Sequence, residues 1–227
     1  MPPTLPNLSH LFDPGSLGIV VVGTVLATVA RCGWGDFGAA IKAASGLMRR
    51  RFQIEANRKA LAKAVSAIQR DGFHRADPAL PPDRALSLMV ETYLRHGAPE
   101  ALGQIRKAER ALDEARRVSA SQVFIWSGEL APVFGLIGTL YGLAQLTPAT
   151  GADVTTMIMS GVSTAVLTSL YGALLAHLVC YPLASAIERR GLIEEQNREM
   201  LAAWFVAQID LADVAATARR AHLRGVT

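Results

Sequence analysis

The stretch Ala131-Pro132-Val133-Phe134-Gly135-Leu136-Ile137-Gly138-Thr139-Leu140-Tyr141-Gly142 decides the fold. A second stretch answers it further along: Thr164-Ala165-Val166-Leu167-Thr168-Ser169-Leu170-Tyr171-Gly172-Ala173-Leu174-Leu175-Ala176. Both are apolar, uncharged and rich in small residues, and both carry hydroxyls near their middles. Two such stretches read as membrane helices packed closely around a weakly polar path. On the first, Gly135, Gly138 and Gly142 share a face, with Thr139 beside them. On the second, Ala165, Ser169, Gly172 and Ala176 do so. Lipid gives helices no hydrophobic drive to associate, so small faces matter because they let backbones approach. From spacing alone, simple helix packing and a pore face account for these positions equally well.

Composition extends the membrane reading. Charged residues make up 19% of the 227-residue chain, against about 25% in an ordinary soluble domain, and the mean hydropathy is +0.26. Residues 14–30, 130–152 and 154–187 contain no Asp, Glu, Lys or Arg. A helix needs about 20 apolar residues, with a range of roughly 17–25, to cross a bilayer. The first stretch just suffices, and the third is long enough to tilt or to continue into water. All 23 basic residues fall in two blocks, Arg31–Arg117 and Arg189–Arg224. The positive-inside rule places both blocks in the cytoplasm. The sequence thus predicts an all-α membrane protein with three transmembrane helices, its N-terminus outside and its C-terminus inside. A helical cytoplasmic domain lies between spans one and two.

The expected segments are an outer leader at 1–13, span one at 14–30, a cytoplasmic helical domain at 31–128 and span two at 129–147. An outer turn at 148–156, span three at 157–186 and a cytoplasmic C-terminal helix at 187–227 follow. Asp13-Pro14 reads as a helix cap followed by a first-turn proline. Ser16, Gly23, Ala27 and Ala30 suggest a small face on span one. In the cytoplasmic block a helix is expected from about Phe37 to Gln69, broken at Asp71-Gly72. A loop through Asp77-Pro78-Ala79-Leu80-Pro81-Pro82 follows. Leu86, Met89, Val90 and Leu94 mark an amphipathic helix starting near Asp83. Glu100 to Val118 is helix-prone and leads into span two. Leu192, Leu201, Phe205 and Ile209 form a stripe on the last helix, read as subunit packing.

The chemistry-bearing inventory is short. The isoelectric point near 9.4 follows from topology, and no aromatic-basic interleaving supports nucleic-acid binding. Cys32 and Cys180 fall at cytoplasmic membrane ends with no CxxC spacing, so neither a disulfide nor a metal site is expected. No nucleophile-base pair or phosphate loop suggests an enzyme, and no cofactor is implied. Within the spans only His177 is of a residue type that can ionise in the neutral range, and it reads as a packing or helix-end residue toward the inner leaflet. A proton path needs an intramembrane carboxylate or histidine, so conduction would need a partner's carboxylate.

The chain resembles the MotA/TolQ/ExbB proton-channel family, closer to MotA, a flagellar stator subunit, in its motifs. The resemblance rests on Ala131-Pro132 through Gly138-Thr139 and Gly142, and on Thr168-Ser169-Leu170-Tyr171-Gly172-Ala173-Leu174-Leu175-Ala176 followed by Pro182-Leu183-Ala184. Asp13-Pro14-Gly15-Ser16 through Gly23-Thr24, and Arg70-Asp71-Gly72 with Asp77, add to it. The resemblance implies a multi-pass subunit of the bacterial inner membrane. Such subunits form a homo-oligomeric, pentameric ring around a single-span MotB/ExbD-like partner. That partner supplies the proton-carrying aspartate, and proton-motive force drives movement between ring and partner. By position, Thr139, Ser169 and Thr168 would line the proton path, and Pro132 and Pro182 would shape the inner helix ends. Gly135, Gly138, Gly142 and Gly172 would allow close packing. Arg70 and Asp77 would face a cytoplasmic rotor protein or partner; as isolated charges they read equally as solvated loop residues.

The pattern also departs from the family. Serine, at Ser169, stands where the last-span motif usually has threonine. Thr164 occupies the position of the glutamate in ExbB/TolQ-like proteins, which favours the MotA-like branch. Three spans instead of the four of MotA proteins favour the ExbB/TolQ arrangement. Gln69 replaces the usual arginine of the rotor motif. An ExbB/TolQ-like energiser of outer-membrane transport or envelope maintenance therefore stays open, as does a non-conducting membrane scaffold.

Overall fold

A computed structural model describes residues 13–49, 52–72, 75–97, 99–144 and 154–224. Most of the expected leader and outer turn lies outside these. Among the described residues all regular structure is helical. In chain order the helices are α1 (Pro14–Arg49), α2 (Ile54–Asp71), α3 (Arg84–His96), α4 (Pro99–Ala144), α5 (Val154–Leu174), a π-helical segment (Leu175–Cys180) and α6 (Tyr181–Arg224). Three stretches are long and apolar enough to cross a membrane: Pro14–Leu47, Leu102–Ala144 and Ile158–Leu211. The chain forms two compact units, one from Met1–Met48 with Arg117–Glu188, the other from Arg49–Arg116 with Arg189–Thr227.

In the first unit, α1 begins at a built cap. Asp13 accepts from the Gly15 and Ser16 amides at 3.1 and 3.2 Å and from the Ser16 hydroxyl. Its own amide donates to the Tyr171 hydroxyl on α5 at 3.0 Å. The buried stripe of α1 is Ser16, Val20, Thr24 and Thr28, spaced by four residues along one face. The small face expected from sequence shares only Ser16 with it. Gly23 is half-buried and makes way for the Phe134 ring, which an added Cβ would meet at 2.3 Å. Ala30 is exposed. Thr24 and Thr28 donate to the carbonyls of Val20 and Thr24 at 2.6 and 2.7 Å. This satisfies the hydroxyls inside an apolar layer, where an unmade bond is costly. α1 kinks at Gly33, whose φ of 83° favours glycine. Beyond the kink, Phe37 and Ala40 join Val123, Phe124, Ala184 and Ile187 in an apolar cluster.

The pairing of α4 with α5 is a glycine seam. A Cβ on Gly135 would lie 2.9 Å from the Thr168 carbonyl oxygen, and one on Gly172 would lie 2.6 Å from that of Ala131. On Gly142 it would lie 3.0 Å from the Gly161 carbonyl. The obstacles are backbone atoms, so the helices lie as close as they do because nothing larger stands there.

The second unit has a conventional apolar core. Leu61, Ala64, Val65 and Ile68 of α2 meet Leu86, Met89, Val90 and Tyr93 of α3, Leu102 of α4, and Leu201, Ala202, Phe205 and Ile209 of α6. Tyr93 and Phe205 pack edge to face with centroids 6.3 Å apart. Asp83 caps α3 through the Ala85 and Leu86 amides at 3.1 and 3.2 Å, and its other oxygen takes the Arg198 guanidinium at 2.9 Å. Arg198 also pairs with Asp113 at 3.0 Å. Burial pulls the Arg198 pKa down, but the bond and charge of Asp83 with the charge of Asp113 outweigh it and hold it above its ordinary value. Gly97 closes α3 in the left-handed region, with its amide on the Tyr93 carbonyl at 2.8 Å.

Two expectations are corrected here. The helix expected from Phe37 to Gln69 is two helices, α1 ending at Arg49 and α2 starting at Ile54. The expected stripe of α3 stands, with Leu86, Met89 and Val90 buried and Leu94 half-buried against the same core, and Tyr93 joins it. Leu201, Phe205 and Ile209 are buried inside this chain and so are not a subunit-packing stripe; Leu192 is 50% exposed. The amphipathic faces of α2 and α3 need an apolar cover, and α6 provides it.

Two predictions follow from this packing, both read as thermal unfolding of the detergent-solubilised full chain. Phe205→Ala should destabilise by about 3–5 kcal/mol and Leu192→Ala by no more than about 0.5 kcal/mol; equal effects would contradict the core assignment. Gly172→Ala should destabilise by about 1–3 kcal/mol through overpacking. Gly18→Ala, where an added Cβ meets nothing within 4 Å, should be neutral or stabilising.

Candidate functional site: the hydroxyl-bearing faces of α4 and α5

The hydroxyls singled out by the sequence take three different positions. Thr168 is fully buried. A Cβ on Gly138 would meet its side chain at 2.6 Å, and its hydroxyl donates to the Thr164 and Ala165 carbonyls, both at 3.0 Å. Thr168 therefore belongs to the glycine seam and is not on an open face. Thr139 is half-buried on α4, with its hydroxyl proton on the Leu136 carbonyl at 2.6 Å. Ser169 is exposed at the surface of its unit. A hydroxyl whose proton is held by its own helix keeps its oxygen lone pairs to accept from water or from a protonated acid. Thr139 thus offers an acceptor surface beside the seam, and Ser169 offers both a donor and an acceptor.

Both prolines stand where helix pairing changes. Pro132 has no amide proton to give the Gly128 carbonyl, and its Cα is among the atoms nearest a Cβ added at Gly172, at 3.2 Å. The Tyr181 ring lies against Gly128, where a Cβ would come within 2.8 Å. Pro182 follows the π segment, in which the Tyr181 amide reaches back to the Ala176 carbonyl. A widened turn ahead of a proline absorbs the missing donor, and such π segments recur at functional sites. His177 lies inside this segment and is exposed, with its ring 5.3 Å from Tyr181.

Sequence reading missed several polar links in this unit. Thr28 and Ser127 bring their hydroxyls within 3.2 Å between α1 and α4. Arg31 pairs with Glu129 at 3.5 Å and lies 4.8 Å over the Trp126 ring. The four-residue spacing of Thr24 and Thr28 was the available signal for the first. For the second it was the placement of Arg31 and Glu129 at the ends of uncharged stretches.

Among the described residues no bond joins Arg70 to Asp77. Arg70 lies in the last turn of α2, exposed, and pairs instead with adjacent Asp71 at 2.9 Å. That bond raises the guanidinium pKa and lowers the carboxyl pKa. Asp77 is exposed in the segment between α2 and α3.

Comparison with known proteins follows this geometry. The model of the MotA/TolQ/ExbB proton channel family matches residues 81–200. The chemotaxis protein PomA of Vibrio alginolyticus is 27% identical over 198 residues, 86% of this chain and 77% of PomA. The flagellar MotAB stator complex of Bacillus subtilis contains a chain matching with a TM-score of 0.73 at 19% identity, covering 89% of this chain and 80% of that one. The C. jejuni MotAB structure matches with a TM-score of 0.74 at 16% identity, covering 91% and 81%. The matched region includes α3, α4, α5 and the start of α6, which hold both the seam and the hydroxyls. This chain belongs to the MotA/TolQ/ExbB proton channel family.

Proposed function

We propose that the chain is a MotA-like proton-channel subunit of a motor driven by proton-motive force. It works in the bacterial inner membrane as one member of a homo-oligomeric ring around a single-span MotB-like partner. One observation carries the reading: hydroxyl-bearing helices meet along a glycine seam in stretches that contain no acidic or basic residue. A subunit of this kind lowers the cost of a charge without carrying one. The solved MotAB complexes whose chains share this fold support the choice of partner.

The proposed spans are 14–30, 129–147 and 157–186, with both basic blocks inside. An ionised carboxylate at the bilayer centre costs about 2.5–3.5 kcal/mol on insertion scales. Ser169, with water, donates to the partner's ionised aspartate and reduces that cost, and Thr139 accepts from the aspartic acid once it is protonated. Thr168 and the glycines set the spacing, and Pro132 and Pro182 shape the inner ends of the helices. Protonation of the aspartate changes how tightly the partner sits against each subunit. Arg70 and Asp77 lie on the surface offered to a rotor. The three-span layout favours a second reading, an ExbB/TolQ-like energiser, and the partner separates the two.

Affinity purification from native membranes after gentle solubilisation, with mass spectrometry, should recover a single-span protein with an aspartate near its span and a cell-wall-binding domain. A partner with a small periplasmic domain would select the second reading, and recovery of no single-span partner would contradict conduction. The double variant Thr139→Ala with Ser169→Ala should lower proton flux through the reconstituted complex by about tenfold, equivalent to about 1.4 kcal/mol. Unchanged flux would remove those hydroxyls from the path.

A further inference from the structure

Between Leu130 and Ile187 the sequence holds one histidine, His177, and one acidic residue, Asp153. His177 occupies the π segment Leu175–Cys180. Eight positions separate it from Ser169, which on an uninterrupted α-helix leaves the two about 80° apart. The wider turns of the π segment reduce that angle by absorbing part of a residue before His177 is reached. Both side chains are exposed on the unit. The imidazole is not loose: its ring lies 5.3 Å from that of Tyr181, and Tyr181 is seated on Gly128 of α4. Tyr181, itself titratable, is in ring contact with it. On α4 the nearest charge to Gly128 in the chain, Glu129, is engaged by Arg31, and Cys180 is buried.

We infer that His177 is the protonatable station at the inner end of the path, below Ser169. This rests on the reading of the chain as a proton-channel subunit. A proton arriving through hydrogen-bonded water binds one imidazole nitrogen to give the imidazolium. A proton then leaves to cytoplasmic water, the ring returns to neutral, and no other bond changes. Histidine performs this exchange within the physiological range, whereas Thr139 and Ser169 can only pass hydrogen bonds along. The π segment sets the azimuth of the ring, and Tyr181 holds its tilt. Sequence alone reads His177 as a packing or helix-end residue toward the inner leaflet; of these, packing fits poorly with its exposure.

The test is proton flux in vesicles containing the full complex with its single-span partner, measured between about pH 5.5 and 7.5. The wild-type complex, His177→Gln and His177→Ala are compared, with and without added imidazole. Wild-type flux should depend on pH across this window. His177→Gln should assemble normally, conduct at least about tenfold less and lose that dependence. Imidazole should restore flux to His177→Ala but not alter the wild type. A His177→Gln complex with wild-type flux and pH profile overturns the inference, as does failure of imidazole to rescue an assembled His177→Ala complex. If the wild-type complex itself conducts no protons, the channel reading fails instead.

Discussion

The first unit depends on how near α4 and α5 can come to each other. In a bilayer the surroundings of a helix are as apolar as its own side chains, so burial does not hold helices together as it does in water. What remains is dispersion between closely fitted surfaces, and that grows steeply only when atoms touch. Gly135, Gly142 and Gly172 bring carbonyl groups of one helix against the backbone of the other. Thr168 fills the place opposite Gly138. The hydroxyl positions, the seat of Tyr181 and the anchoring of α1 through Phe134 all refer to this pair. The second unit obeys the opposite rule. Its core is an ordinary apolar cluster, and the partly buried Asp83–Arg198 link fixes which ends of α3 and α6 meet.

Sequence and structure agree where a local rule decides the outcome. The uncharged stretches become helices long enough to cross a membrane because apolar composition and length suffice for that. Asp83 caps α3 because an acidic side chain before a helix accepts its free amides. The glycines of α4 and α5 meet backbone because their spacing puts them on one face. Disagreement starts where the partner matters. A stripe such as Leu201, Phe205 and Ile209 announces burial without saying against what, and here the cover is the chain's own α2 and α3. Thr168 and Ser169 are neighbours in the motif, but a turn of about 100° between consecutive residues sends one into the seam and the other outward.

Other features had no short-range signature. Arg198 finds Asp83 and Asp113 at separations of 115 and 85 residues, distances over which one sequence carries no pairing information. The π segment depends on where α4 sits, since Tyr181 is held by Gly128. A proline two residues past the segment was visible; the register change ahead of it was not. His177 lies inside that segment and is exposed, so its role could not be weighed until the helix was seen.

The cap at the start of α1 bears on how much of the bilayer that helix must cover. The first amides of a helix normally require water or a capping group. Here the Asp13 carboxylate and the Tyr171 hydroxyl, contributed from well inside α5, already serve them. The amides of a helix served in this way need no water of their own, and only the Asp13 carboxylate, as a charge, still needs it. The helix's 17 uncharged residues give a rise of about 26 Å, less than the roughly 30 Å hydrocarbon layer. The shortfall falls at that charge, and water or headgroups reaching down to Asp13 meet it.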